Sequence, residues 1–187
     1  MADDISVAMH HQAPTPPRPA TARDLMEQTY LTIRVDQTVR DAVTLLGAAP
    51  PDSPVAGALI VTDDDGRYVG LLTPRLLFKS TLSAWSPADE PRQDPASLER
   101  ELFAVAQDRL TLCVGEIVVP GLPTAAPDDR LMRMIECVCA KRLEYLPVVE
   151  AEKPIGVVGL KRLFQRAVAL ALAPGDEGIQ YGSRRRT

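Results

Sequence analysis

The sequence predicts a mixed α/β fold of the α+β kind, two tandem β-α-β-β-α repeats packed about a pseudo-two-fold axis. Three observations carry this reading. The stretch Gly70-Leu71-Leu72-Thr73-Pro74-Arg75-Leu76-Leu77-Phe78 returns as Gly156-Val157-Val158-Gly159-Leu160-Lys161-Arg162-Leu163-Phe164, each running from an apolar strand into an amphipathic helix. Upstream of it, Asp36, Val39, Val43 and Leu46 match Asp128, Leu131, Ile135 and Val138 at a constant offset of 92 positions, which falls to 86 at the repeated stretch. Finally, 45% of the 187 residues are apolar, enough for one shared core but thin for two separate ones.

Composition removes several function classes. A net charge of −4 gives no electrostatic footprint for DNA or RNA, and Arg184, Arg185 and Arg186 read as a solvated basic tip. The longest wholly apolar run, Ala167 to Ala173, is far short of the roughly 20 residues that span a bilayer, and no apolar leader opens the chain. The expectation is a cytoplasmic protein with no membrane and no nucleic acid among its partners. Three cysteines are an odd count, and Cys137 and Cys139 stand two apart on an expected helix, so they read as core thiols rather than a metal or redox pair.

Residues 1–20 are proline-rich and lack apolar periodicity, so they read as a disordered tail; His10 and His11 have no partner ligands at metal spacing. The first repeat is placed at 21–84. A helical turn at Ala22–Glu27 leads to a brief strand at Leu31–Val35, then a helix from Asp36 or Thr38 with Val39, Val43 and Leu46 on one face. Asp41 stands three residues after Thr38, as in a capping box, and Gly47 with Pro50 and Pro51 ends the helix. Ala58–Thr62 and Tyr68–Leu72 are apolar enough for buried strands, and Asp63-Asp64-Asp65-Gly66-Arg67 between them has hairpin chemistry. A calcium loop is excluded there, because the EF-hand register would put Val61 and Leu72 at ligand positions. Thr73 can cap the next helix while Pro74 fills its first position at no loss of a hydrogen bond.

Residues 85–111 are expected to hold a proline-rich linker and an inserted helix that starts at Ser97, shows Leu98, Leu102, Phe103 and Val105 on its apolar side, and braces the two repeats; Trp85 reads as an anchor of the linker on the core or as a partner contact. The second repeat, at 112–173, repeats the order: a turn near Val114–Val119, an extended piece at Pro123–Ala126, a helix from Asp128, strands at Tyr145–Val149 and Ile155–Val158, and a helix from Leu160 to Leu172. Pro147 must sit where its missing N–H is not needed. Residues 174–187 read as a flexible tail.

A unit of this order, with Leu146-Pro147-Val148-Val149-Glu150 ahead of Gly156-Val157-Val158 and Leu59-Ile60-Val61-Thr62-Asp63 standing in the same place in the first copy, resembles the cystathionine β-synthase (CBS) domain in a tandem pair, the Bateman module. The resemblance implies a non-catalytic regulatory module for an adenosine-containing ligand such as AMP, ADP, ATP or S-adenosylmethionine, held in a cleft between repeats, with no cofactor required. It also implies a homodimer that serves a regulated protein whose identity the sequence does not give. The residues agree on catalysis, since no paired carboxylates, Ser/His/Asp set or Cys/His set stands at a working spacing.

The family's ligand signature is Gly, two apolar residues, Ser or Thr, two variable residues, then an Asp that accepts from the ribose hydroxyls. Thr73 keeps the hydroxyl of the first copy but Leu76 takes the Asp place; in the second copy Gly159 and Arg162 take both places. Binding is therefore expected through base and phosphate. Arg75, Lys161 and Arg162 are the phosphate candidates beside helix N-termini, while the resemblance places Thr32, Ile33, Arg34 and Pro147 in the ligand set. Of the two hinges, the first is expected to keep the working cleft. The competing reading is a degenerate pair that acts as a ligand-independent dimerisation or partner-binding module.

Overall fold

The computed structural model describes residues 19–50, 53–84 and 94–173. The two tails beyond these residues, with His10 and His11, and the linker around Trp85 lie outside them. In order, the elements are α1 (Ala22–Leu25), β1 (Leu31–Arg34), α2 (Val39–Ala48), β2 (Leu59–Thr62), β3 (Tyr68–Leu72), α3 (Pro74–Ala84), α4 (Pro95–Arg109), α5 (Val114–Ile117), α6 (Leu131–Lys141), β4 (Tyr145–Glu150), β5 (Lys153–Gly159) and α7 (Leu160–Ala171). In the first copy β1 pairs parallel with β2, and β2 antiparallel with β3. In the second, β4 and β5 form an antiparallel pair, and the place of β1 is taken by a single parallel bridge from Ala125 to Val148.

That bridge explains Pro147. Its carbonyl accepts from the Ala125 N–H at 2.8 Å, so its ring nitrogen faces the same side, where only a short extended piece lies. A proline in mid-strand therefore loses no bond to β5. The hairpins differ in chemistry. Between β2 and β3, the Asp63 carboxylate accepts from the Asp65 and Arg67 N–H groups at 3.0 and 2.8 Å, and Gly66 takes φ of +73°. Between β4 and β5, Ala151 and Glu152 both have positive φ, at 49° and 64°, the pattern of a two-residue I′ turn without its usual Asn-Gly. The Glu152 carbonyl is held from outside by the Tyr68 N–H at 2.8 Å.

The copies are interlocked by exchange of their leading turns, and the exchange is reciprocal. The Ala22 N–H donates to Asp129 and that of Val114 to Gln37, both at 2.8 Å; Arg23 donates to Pro127 and Gly115 to Val35, both at 2.9 Å. Each pair maps onto its mate by adding 92 to one residue and subtracting it from the other, which is a two-fold relation written in hydrogen bonds. Packing follows. Ala22 and Leu25 lie in the core of the second copy with Met134, Leu146, Val148 and Leu163, while Val114 lies in the core of the first with Ile33, Ala42, Leu59 and Leu72. A third cluster joins them, in which Val157 of β5 meets Val55, Ile60 and Leu71.

The hinge glycines are the points of closest crossing. A Cβ on Gly70 would stand 2.5 Å from Val118 Cγ2 and 3.2 Å from the Val119 carbonyl; on Gly156 it would stand 2.7 Å from Met26 Sδ. Val118 and Met26 are themselves 92 residues apart, so both glycines are fixed by the exchanged turn of the opposite copy.

Several sequence expectations shift. The inward face of α2 is Val39 and Ala42, with Leu45 and Leu46 half-buried, and Val43 remains 45% exposed. The helix meets the core along i, i+3 and i+6 or i+7, and the i+4 position falls outside that stripe. The inserted helix begins at Pro95, not Ser97. Asp94 caps it, accepting from the Ser97 N–H at 3.0 Å with proline at the first position. Phe103 is 64% exposed and no α4 residue is buried, so the helix rests on α3 along one half-covered side. The bracing comes after it, where the Leu110 and Leu112 carbonyls accept from Arg40 and Val39 at the start of α2. Gly47 lies inside α2 rather than ending it.

Candidate functional site

At the first hinge, β3 delivers Thr73 as a buried residue whose hydroxyl accepts from the Leu76 N–H at 3.3 Å, and Pro74 starts α3. This aims the first turn of α3 at the far end of α6. There the chain reverses through a Schellman-type close: Arg142 takes φ of 52°, ψ of 45°, and the Leu143 N–H donates to the Val138 carbonyl at 2.9 Å. Between the two ends lies a cleft of about 1050 Å³. Its floor is apolar, with Leu71, Leu76, Leu122 and Leu143, and its rim carries Arg75 and Lys79 from the first copy and Lys141 and Arg142 from the second.

Among the described residues, four cations thus face one carboxylate, Glu144, in a chain whose net charge is −4. None of the four is in an ion pair among the described residues. Arg75 reaches across the cleft, its Nη1 donating to the Arg142 carbonyl at 3.3 Å, which holds the guanidinium between the copies. The arrangement can receive an anion with an apolar or aromatic body.

The second hinge is closed in the matching place. Gly159 stands where Thr73 would be and offers no side-chain cap to α7; the Leu160 N–H is satisfied instead by the Glu144 carbonyl at 2.8 Å. A Cβ on Gly159 would already touch the Pro54 carbonyl at 3.5 Å and the Tyr145 ring at 3.9 Å. Tyr145 also covers Gly57, so one aromatic side chain fills the space on that side.

Of the sequence-predicted ligand residues, the cleft gathers Thr73 and Arg75. Thr32, Ile33 and Arg34 do not line it. Because β1 runs parallel to β2, Arg34 pairs with Thr62 at the end of the sheet away from Thr73. Arg34 is committed there, its Nε donating to Asp36 at 2.9 Å and its Nη2 standing 3.1 Å from Asp64. That bond holds the Asp36 carboxyl below its usual range and raises the guanidinium further. Ile33 is buried in the core of the first copy, and Pro147 is buried in mid-β4. Lys161 is exposed beside the closed hinge. Arg162 lines a separate hollow of about 440 Å³ between α1 and α7, with Asp24 and Arg166.

Lys79, Lys141, Arg142 and Glu144 escaped the sequence reading. Three of them come from the end of α6 or just beyond it, about 70 residues from the hinge they face, and the packing of one copy on the other brings them there. A signal was present: Lys141-Arg142-Leu143 repeats Lys161-Arg162-Leu163, a second basic pair beside a helix end.

The comparisons with known proteins agree with this architecture. The family model of the CBS domain matches residues 22–82. The CBS-domain containing protein ATU1752 from Agrobacterium tumefaciens superposes with a TM-score of 0.60 at 18% identity, covering 82% of this chain and 98% of that one. The cytosolic domain of the Mg2+ channel MgtE in complex with ATP gives 0.56 at 21% identity, covering 78% of this chain and 48% of that chain, so this chain spans about half of that domain. The protein CBSX2 in complex with AMP gives 0.56 at 21% identity, covering 81% and 98%. No curated protein sequence matches the chain. The class is thus defined: an α+β protein with the fold of a tandem CBS pair. The family-model match falls on the first copy, residues 22–82, and the elements from α5 to α7 repeat that unit in structure, less one strand.

Proposed function

We propose that this chain is a non-catalytic, cytoplasmic regulatory module that senses an adenine nucleotide, AMP, ADP, ATP or a relative such as S-adenosylmethionine, in the cleft between Thr73 and Arg142. The observation that carries the reading is the charge of that cleft: four cations, in no ion pair among the described residues, over an apolar floor, in an acidic chain, at the junction of two CBS-fold repeats. Two proteins of the same fold stand in complex with ATP and AMP, which supports the nucleotide class. Binding there would tie α3 to α6, and thus one copy to the other. That is how occupancy could be read by a regulated protein.

The same reading includes a homodimer. Phe78 and Phe164, equivalent at the offset of 86, are 70% and 66% exposed on α3 and α7. A surface that already has an internal two-fold relation suits an isologous contact with a second copy. Light scattering at high micromolar concentration should give twice the chain mass, and a monomer mass would contradict it.

Thermal denaturation with AMP, ADP, ATP, S-adenosylmethionine and cyclic dinucleotides tests the nucleotide reading. A ligand at a hundred times its dissociation constant adds about 2.7 kcal/mol, a readily seen shift. No shift from any of them would favour a module that pairs or docks without a ligand.

A further inference from the structure

We infer that the cleft selects its ligand by phosphate number, preferring a triphosphate to a monophosphate, and that Arg142 is the residue that sets this preference. The inference rests on the nucleotide reading above and goes beyond it. Arg75 and Lys79 face Lys141 and Arg142 across the cleft, and among the described residues Glu144 is the one carboxylate on its wall. A monophosphate would leave most of that positive charge uncompensated, whereas a triphosphate reaching from α3 to the end of α6 can contact both pairs.

Arg142 carries the argument because of where it stands. It occupies the left-handed position that closes α6, where φ is 52° and glycine is the favoured residue. Complementing the helix dipole does not require a cation there, since Lys141 already supplies one in the last turn. A long basic side chain held against its backbone preference, on the wall of a cleft, with its carbonyl accepting from Arg75 across that cleft, is placed for a ligand rather than for the helix.

Calorimetric titration of the full chain with adenosine, AMP, ADP, ATP and inorganic tripolyphosphate tests this, with Arg142→Gly measured beside the wild type. Affinity should rise along the series, by about tenfold or more from AMP to ATP, and should weaken as salt is raised. Arg142→Gly should keep or raise the unfolding temperature, because it relieves the left-handed strain, yet should bring ATP close to AMP. Equal affinities for AMP and ATP, or an Arg142→Gly protein that keeps the wild-type ratio, would overturn the inference while leaving the nucleotide reading in place. Tripolyphosphate binding without any adenine compound would support selection by charge and reject the nucleotide reading. Binding of none of the five at millimolar concentration would reject both.

Discussion

At the scale of single residues, the hinge glycines show how a sequence repeat becomes a tertiary constraint. Gly70 and Gly156 are each crowded by the exchanged turn of the other copy, but the neighbours differ in compliance. Val118 is β-branched and backed by the Val119 carbonyl, whereas Gly156 meets only the unbranched Met26 side chain, its Sδ at 2.7 Å, Cγ at 2.9 Å and Cβ at 3.0 Å, with no backbone atom among the nearest. Gly70→Ala should therefore destabilise by roughly 1 to 3 kcal/mol and Gly156→Ala by less, read as denaturant midpoints at constant slope. The reverse order would mean that the turn at Val118 yields more easily than its packing indicates. Caps supply a second test. The Asp41 carboxylate accepts from the Thr38 hydroxyl at 2.7 Å and its N–H at 3.0 Å, which holds its pKa below the ordinary 3.8. A depressed folded value contributes fully above the unfolded one, so this contribution should begin to fall near pH 3.8 and be lost as pH drops through the lower folded value. Thr38→Ala should lower stability by about 1 kcal/mol at neutral pH and flatten the acid limb of the stability curve. An acid limb unchanged by the substitution would assign the loss to the other carboxylates.

At the scale of elements, the sequence was most legible where local chemistry decides. The capping box at Thr38, the Asp-Gly turn between β2 and β3, and the Thr73-Pro74 helix start all lie where residue preferences place them. It was least legible where another copy decides. Ala151 and Glu152 carry no turn signal, and their left-handed turn exists because Glu150 pairs with Lys153 beyond the register shift at Val148 and Val149, leaving two residues to connect them, and the Tyr68 N–H holds the Glu152 carbonyl. Ala151→Asn should then raise stability by roughly 0.5 to 1 kcal/mol, since asparagine tolerates that backbone better than alanine. A loss of stability in thermal melts would show that the turn is not strained. The α4 start was misplaced for a local reason of its own: Asp94-Pro95 is a stronger cap and first position than Ser97 with its acidic neighbours, and it was hidden among linker prolines.

At the scale of the whole molecule, the candidate site was half legible. Thr73 and Arg75 follow from the repeated hinge, but the opposite wall of the cleft comes from the end of α6, and no local pattern connects Arg142 to Arg75. The link is the packing of the two copies, through the exchanged leading turns, the cluster around Val157 and the Tyr68–Glu152 bond, and the exchange also makes each copy incomplete alone. Residues 20–84 expressed alone lack Val114, which is fully buried in their core, so they should show no cooperative unfolding transition. In the full chain, Val114→Ala should cost about 2 kcal/mol. A stable, cooperatively folded 20–84 fragment would contradict the interlocked account. The central claim, that the working cleft is the one at the first hinge, is tested most directly by calorimetry of ATP with Arg75→Ala and Arg162→Ala. Arg75→Ala should weaken binding by roughly 1.5 to 3 kcal/mol, the usual worth of a hydrogen bond to a charged group, and Arg162→Ala, whose side chain lines the separate hollow by α1, should change it little. The opposite order, with Arg162→Ala the more damaging, would move the site to the second hinge and contradict the account.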